Sequence, residues 1–191
     1  VVGKIGEGGG GAWSLSGQRK AGGGREGGGL AKGRGGQMGG GEGEVDRVSG
    51  FWNSPQVARQ PGLTAVNLFN AIDRGEVKAV WIMGTNPAVS MPEGNRVAQA
   101  LARCELVVVS EVSARSDTAD LADVLLPAQG WGEKNGTVTN SERRISRQRS
   151  FIAPAGEAKP DWWLLAQVAQ RLGYAEAFAW QHPSEIFAEH A

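Results

Sequence analysis

The sequence predicts an α/β fold: a Rossmann-like parallel sheet with flanking helices, preceded by a glycine-rich irregular arm. Three observations carry this. Two short runs, VKAVWIMG (77–84) and LVVVS (106–110), are rich in β-branched residues and apolar on both faces, as buried parallel strands are. Between them Val97, Ala100 and Leu101 recur at helical spacing, which makes a βαβ unit. Glycine fills 21 of the first 50 positions but only 9 of the remaining 141, so composition changes sharply near residue 50.

The stretch 1–49 is expected to be mostly coil. Glycine at that density loses the most backbone entropy on ordering and offers nothing to pack. From residue 50 the pattern is globular. Ala65, Leu68, Phe69 and Ile72 form one apolar helical stripe, with Thr64 as N-cap and Gly75 as the stop beyond its end. The strand 77–84 follows, and then TNPAVSMPEG reads as a loop because of Pro87 and Pro92. A helix over 95–104 crosses to the strand 106–110, and the two strands should pair in parallel. DVLLPA (123–128) is a third strand ended by its proline. WGEKNGTVTNSERRISRQR is polar, a loop followed by extended or short helical structure. Asp161 is expected to cap a helix bearing Leu164, Leu165, Val168 and Leu172, closed by Gly173. The organisation is thus an arm over 1–49, a cofactor-binding region over 50–175, and a linker over 176–191. Val1 is not Met and the chain stops in a helix-like run, so both ends read as cuts.

Bulk properties exclude several functions. Twenty basic and twenty acidic residues cancel, leaving no long-range field that favours nucleic acid or anionic lipid. One cysteine, Cys104, excludes an internal disulfide and any cysteine-built zinc or iron–sulfur site within this sequence. No apolar run approaches the roughly 18 residues that suggest a membrane span. His182 and His190 are the only histidines and sit in the tail, which disfavours a Ser-His-Asp or Cys-His arrangement. No metal ligands are assigned. Cys104 itself reads as a small core residue.

What the sequence offers is loops at strand ends, where ligands of parallel sheets bind. After the first strand comes Gly84-Thr85-Asn86-Pro87, with close backbone approach at the glycine and short polar groups beyond it. After the second comes Ser110-Glu111, a carboxylate suited to two adjacent N–H donors. Ordinary turn chemistry is the competing explanation for both. The run Glu142–Arg149 holds Arg143, Arg144, Arg147 and Arg149. It fits a solvated charged face, an anion or phosphate clamp, or a nucleic-acid patch.

Taken in order, these loops resemble a known family. AVWIMGTNPAVSMPEGNRVAQALARCELVVVSEV, then SDTADLADVLLPAQGWGEKNGTVTNSERR and its continuation to Tyr174, are similar to the molybdopterin oxidoreductases that carry a bis-molybdopterin guanine dinucleotide. FAWQHPSEIFAEHA resembles the assimilatory nitrate reductase branch. The likeness reaches into the arm, where residues 17–32 look like an eroded copy of the family's GQPNAMGGREVGGLAN segment, with Arg25 and Glu26 in register. The family's usual Asp is replaced by Glu111, one methylene longer.

The resemblance implies a fragment of the third domain of a nitrate reductase-like catalytic subunit. It implies that Gly84, Thr85 and Asn86 line one guanosine, that Glu111 reads the guanine edge, and that Ser116 and Thr118 lie beside it. Gly136, Thr137, Asn140 and Arg143 would wrap a pterin and its phosphates, and Arg25 would hold nitrate near molybdenum. Loops 84–87, 111–118 and 136–143 should then converge on one concave surface. The implied reaction is oxygen-atom transfer from nitrate in nitrate assimilation, with an electron-donor protein or subunit as partner and a cytoplasmic location. The iron–sulfur cluster and the molybdenum ligand belong to an upstream part, so this chain alone is expected to be inactive. A formate dehydrogenase-type enzyme is the alternative within the family. A glycine-rich RGG-like nucleic-acid binder, from Lys-Gly-Arg-Gly-Gly (32–36), is the alternative outside it.

Overall fold

A computed structural model describes residues 30–31, 34–35, 46, 49–50, 63, 65–139, 142 and 144–190. The chain divides into two compact units, one of residues 1–65 with 137–146, the other of residues 66–136 with 147–191. In the first unit, β1 (Leu30–Ala31) and β2 (Arg34–Gly35) pair antiparallel, Leu30 opposite Gly35 and Ala31 opposite Arg34. That short ladder is not foreseen from the glycine composition. Most of the 1–49 arm, and Thr64 as N-cap, lie outside the described residues.

The second unit holds the predicted βαβ pattern. Helix α1 (Ala65–Asp73) buries Leu68, Phe69, Ala71 and Ile72. It stops as the sequence predicts. Gly75 has φ 74°, its N–H donates to Ile72 O at 2.9 Å, and the Glu76 N–H reaches back to Ala71 O at 2.9 Å. A left-handed residue closing two orphan carbonyls is the usual way a helix ends at glycine. Strand β3 (Ala79–Met83) follows, shorter than the 77–84 run.

The next segment departs from expectation. Residues 85–94 are not all loop, because α2 (Pro87–Ser90) makes one helical turn with Pro87 in its first position. A proline there lacks only an N–H that would have no helical partner anyway, so it starts the turn rather than preventing it. Helix α3 (Gly94–Arg103) then buries Val97, Ala100 and Leu101, and β4 (Leu106–Glu111) returns beside β3. The pairing is parallel, with Ala79 opposite Leu106 and Met83 opposite Ser110.

Strand β5 (Val124–Pro127) pairs parallel with β4 on its other edge, Val108 opposite Val124 and Glu111 opposite Pro127. The strand order is β3-β4-β5. The start of β5 is fixed twice: Asp123 N–H donates to Val107 O at 2.9 Å, and its carboxylate accepts from Val107 N at 2.7 Å. A bridge from Ala128 to Lys159 extends this edge by one residue pair. The polar stretch after β5 holds a 3-10 turn (Trp131–Glu133) and two strands, β6 (Gly136–Thr139) and β7 (Ile145–Gln148), which pair with each other.

Helix α4 (Asp161–Ala169) starts at Pro160, not Asp161, as its cap. The Asp161 carboxylate is diverted to Lys134 Nζ at 2.7 Å instead of turning back on its own helix. The helix loosens into a π turn (Gln170–Tyr174) and ends where Gly173 takes φ 98°, the predicted stop. Helix α5 (Pro183–His190) completes the described chain. The largest fully buried side chains include Ile72, Leu101, Val107 and Val109, each worth about 1.5–3 kcal/mol on burial.

The corner between α2 and α3 is the tightest in the unit. Glu93 takes φ 56°, the only positive φ outside glycine among the described residues. A Cβ on Gly94 would lie 2.3 Å from Ala88 O, a backbone atom that cannot step aside. Gly94→Ala is therefore expected to destabilise the chain by about 1–3 kcal/mol through overpacking. Glu93→Gly should stabilise it by about 1 kcal/mol by relieving the left-handed strain. Thermal unfolding of both variants checks the pair, and a Gly94→Ala midpoint equal to the parent would contradict the packed corner.

Candidate functional site at the carboxyl ends of the parallel strands

Parallel strands finish together, so the loops that leave β3 and β4 start side by side. Gly84 has φ 62° and its N–H donates to Ser110 O at 3.3 Å, which holds the first loop to the end of β4. Ser110 is buried at 1% exposure, and its hydroxyl accepts the Trp81 indole N–H at 2.8 Å. A buried hydroxyl between two paired strands is thereby satisfied rather than left as a cost.

Asn86 occupies the N-cap position of α2, and its carbonyl accepts from Val89 and Ser90 at 3.1 and 2.9 Å. Its side chain does not cap that turn. The task passes to Thr118, whose hydroxyl accepts from Ala88 N at 3.1 Å and donates to Asn86 Oδ1 at 2.6 Å. Thr118 has no exposed surface. The loops 84–87 and 111–118 are thus brought together, and they meet through Thr118 from below. Thr85 and Asn86 are half-buried and Gly84 is exposed.

Within the second loop most polar groups are turned on one another. Glu111 Oε1 accepts from Val112 N at 2.7 Å. Ser116 Oγ accepts from Ala119 N at 3.1 Å, a local bond of the kind serines make at helical turns. Ser113 and Arg115 exchange two short-range bonds, and Arg115 pairs with Asp120 at 3.1 Å. Gly136 is half-buried and Thr137 exposed. Arg25, Asn140 and Arg143 lie outside the described residues. The 136–143 stretch belongs mostly to the other unit, so the structure joins two of the three expected loops.

Sequence reasoning passed over Glu133. Its Oε2 accepts from Gly130 N at 2.6 Å and its Oε1 from Ala155 N at 2.7 Å, so one carboxylate ties the turn after β5 to the segment before α4. Lys134 ties the same turn to Asp161. Glycine followed three residues later by glutamate was the available signal, since that spacing suits a side chain reaching back to the cap backbone.

Cys104 is half-buried, with Sγ 3.4 Å from Lys78 O. Burial pushes its thiol above the ordinary range, with the charges of Asp123 and Glu105 adding in the same direction. This is the environment of an inert structural thiol. Among the described residues no three His, Cys, Asp or Glu side chains gather where a metal could be held. Among the same residues no helix is long and apolar enough to cross a membrane.

The comparisons bear on this geometry. The chain matches the model of the molybdopterin oxidoreductase family over residues 1–171, which takes in the glycine-rich stretch. It is 58% identical over its whole length to a nitrate reductase of Klebsiella oxytoca and 54% identical to one of Shewanella frigidimarina. It spans 22% and 20% of those proteins, about a fifth of their length. The alpha subunit of an F420-dependent formate dehydrogenase from Methanocaldococcus jannaschii is 40% identical over 67% of the chain and 19% of that relative. Among solved structures, acetylene hydratase from Pelobacter acetylenicus superposes with TM-score 0.56 at 27% identity, over 63% of this chain and 17% of that one.

Two outcomes test the site's framework. Cys104 should react with iodoacetamide at pH 8 more slowly in the folded chain than after denaturation, and equal rates would contradict the partial burial that raises its thiol. Glu133→Ala removes the acceptor of two charge-assisted bonds and should cost about 2 kcal/mol in chemical denaturation. An unfolding midpoint equal to the parent would mean that the 130–135 turn is held by other contacts.

Proposed function

Because this chain belongs to the molybdopterin oxidoreductase family, we propose that it forms part of the cofactor site of an enzyme that reduces nitrate to nitrite. The family implies a molybdenum–molybdopterin cofactor, and the form proposed here is the bis-molybdopterin guanine dinucleotide. The observation that carries the reading is the unbroken likeness to nitrate reductases from the first residue to the last. The formate dehydrogenase alternative rests on weaker likenesses, of 39%, 37% and 40% identity over 71%, 76% and 67% of the chain.

The residues present fit one end of such a ligand. Gly84 puts exposed backbone at the strand end, Thr85 and Asn86 add polar groups beside it, and Glu111 stands at the neighbouring strand end. Gly84, Thr85 and Asn86 are proposed to line the guanosine. Glu111 would face the donor edge of the guanine, although one of its oxygens is engaged by Val112 N. Ser116 and Thr118 are proposed to lie beside the guanosine, Thr118 buried beneath Asn86 and Ser116 half-buried with its hydroxyl accepting from Ala119 N. Gly136, Thr137, Asn140 and Arg143 are proposed to contact pterin and phosphate, and Arg25 to supply positive charge for the nitrate anion. The bound group supplies two-electron oxygen-atom transfer; this chain's residues bind and orient it.

In this reading residues 50–175 form the cofactor-binding region, 176–191 a linker, and 1–49 a glycine-rich arm that carries an eroded family segment. The cytoplasm, nitrate assimilation and a separate electron-donor protein are parts of the same proposal. The intact protein that carries this chain should contain molybdenum and release a guanine nucleotide on acid treatment. With reduced viologen it should form nitrite from nitrate, and it should not oxidise formate. Formate-dependent dye reduction without nitrite formation would favour the alternative. Arg143→Ala should lower molybdenum content severalfold, since it removes a cation from a phosphate or pterin contact. Unchanged metal loading and unchanged nitrate reduction would place Arg143 on a solvated face.

A further inference from the structure

Asn86 and Thr118 have exchanged roles at the start of α2. The side chain of an N-cap asparagine normally accepts from the second or third N–H of its own helix. Pro87 has no N–H, so Ala88 presents the first donor of this turn, and that donor goes to Thr118 Oγ1 at 3.1 Å. Thr118 comes from the loop after β4, thirty residues further along the chain. Asn86 makes no side-chain bond to its own turn, and its Oδ1 lies 2.6 Å from Thr118 Oγ1.

The polarity of this pair is determined by what each atom can do. A peptide N–H only donates, so Ala88 occupies a lone pair of Thr118 Oγ1. The hydroxyl hydrogen then needs an acceptor, and the atom in reach is Asn86 Oδ1. Turning the amide over would place Nδ2 there. Nδ2 could donate to the second lone pair, but the hydroxyl hydrogen would be left without an acceptor in a side chain with 0% exposure. An unsatisfied buried donor is the costly case, so the amide is held one way round. Its Nδ2 is therefore directed away from Thr118, and among the described residues no group accepts from it.

We propose that Thr118 is a positioning residue that takes over the capping of α2 and so fixes Asn86 as a hydrogen-bond donor towards the ligand of this loop. The ligand group selected is an acceptor, such as a base carbonyl or ring nitrogen; an exocyclic amino group at the same place would be rejected. Resting on the cofactor reading above, that group is guanine O6, the position at which adenine carries an amino group.

The test uses the intact protein and three variants, with two readouts: acid-released guanine nucleotide per protein, and hydrogen exchange of the peptide covering 84–92. Thr118→Val removes the hydroxyl at constant shape and should speed exchange at Ala88 and lower nucleotide content about tenfold, the scale of one lost buried hydrogen bond. Thr118→Ser keeps the hydroxyl and should restore both to within about twofold. Asn86→Asp still accepts from Thr118 but cannot donate, so it should keep Ala88 protected and the unfolding temperature unchanged while nucleotide content falls about tenfold. Wild-type nucleotide content in Asn86→Asp would overturn the donor assignment. Wild-type exchange in Thr118→Val would overturn the capping role. If the parent protein releases no guanine nucleotide, the cofactor reading fails, and the exchange of Thr118→Val against Thr118→Ser still decides the role of Thr118.

Discussion

A strand paired on both edges cannot shift without breaking two ladders, and β4 is in that position. Five residue pairs join it to β3 and four join it to β5, all parallel. Val107 and Val109 on one face and Ser110 on the other are buried at 1%, 0% and 1% exposure, so the strand is also held from its faces. A slip of one residue would exchange those valines with Val108 and Ser110 between the two faces and take the Ser110 hydroxyl away from the Trp81 indole. This pairing fixes where β3 and β4 end, and hence where the loops 84–87 and 111–118 begin. Asp123 adds a lock at the opposite end, pairing through both its backbone and its carboxylate with Val107.

From that fixed edge the site is assembled out of irregular backbone. Gly84 turns the chain at positive φ, Pro87 starts a helical turn, and Glu93 and Gly94 bend it directly into α3. Each feature would be a weakness in a regular element. Here each is compensated by a specific contact: Gly84 to Ser110, Ala88 to Thr118, and Gly94 against Ala88 O. Strained or special backbone that persists at a strand end is what a pre-shaped binding loop requires.

The regular parts of this architecture were legible because periodicity encodes them. The stripe of α1, its Gly75 stop, the parallel strands and the α3 crossover follow from apolar spacing and one glycine. What was not legible depended on a partner distant in sequence. Pro87 looked like a breaker because its place relative to Asn86 was read as loop chemistry, although Asn-Pro also spells a cap followed by a first helical residue. Asp161 looked like a cap because nothing in its neighbourhood reveals Lys134, 27 residues earlier. The stretch holding β6 and β7 was legible only as loop followed by extended or short helical structure, because their described side chains are mostly exposed and leave no alternation to detect. At the site, Gly84, Asn86 and Glu111 were found as strand-end residues. Thr118 was placed beside the guanosine by motif position, which gives neighbourhood and not its burial beneath Asn86.

That difference in depth changes how the site should behave. A threonine on the surface would contribute one contact, gained only when ligand arrives. A buried threonine bonded to Ala88 and Asn86 does its work beforehand, since the loop already has its shape and its donor direction within one unit of the chain. Ordering a flexible side chain on binding costs about 0.5–1.5 kcal/mol, and a loop shaped in advance avoids that loss for Asn86. The same logic extends to Ser116, whose bond to Ala119 N holds the second loop, and to Glu133 across the turn after β5. A site of this kind gains affinity through preorganisation and gains selectivity through the polarity of single atoms, so changes beneath the surface should alter binding as much as changes upon it.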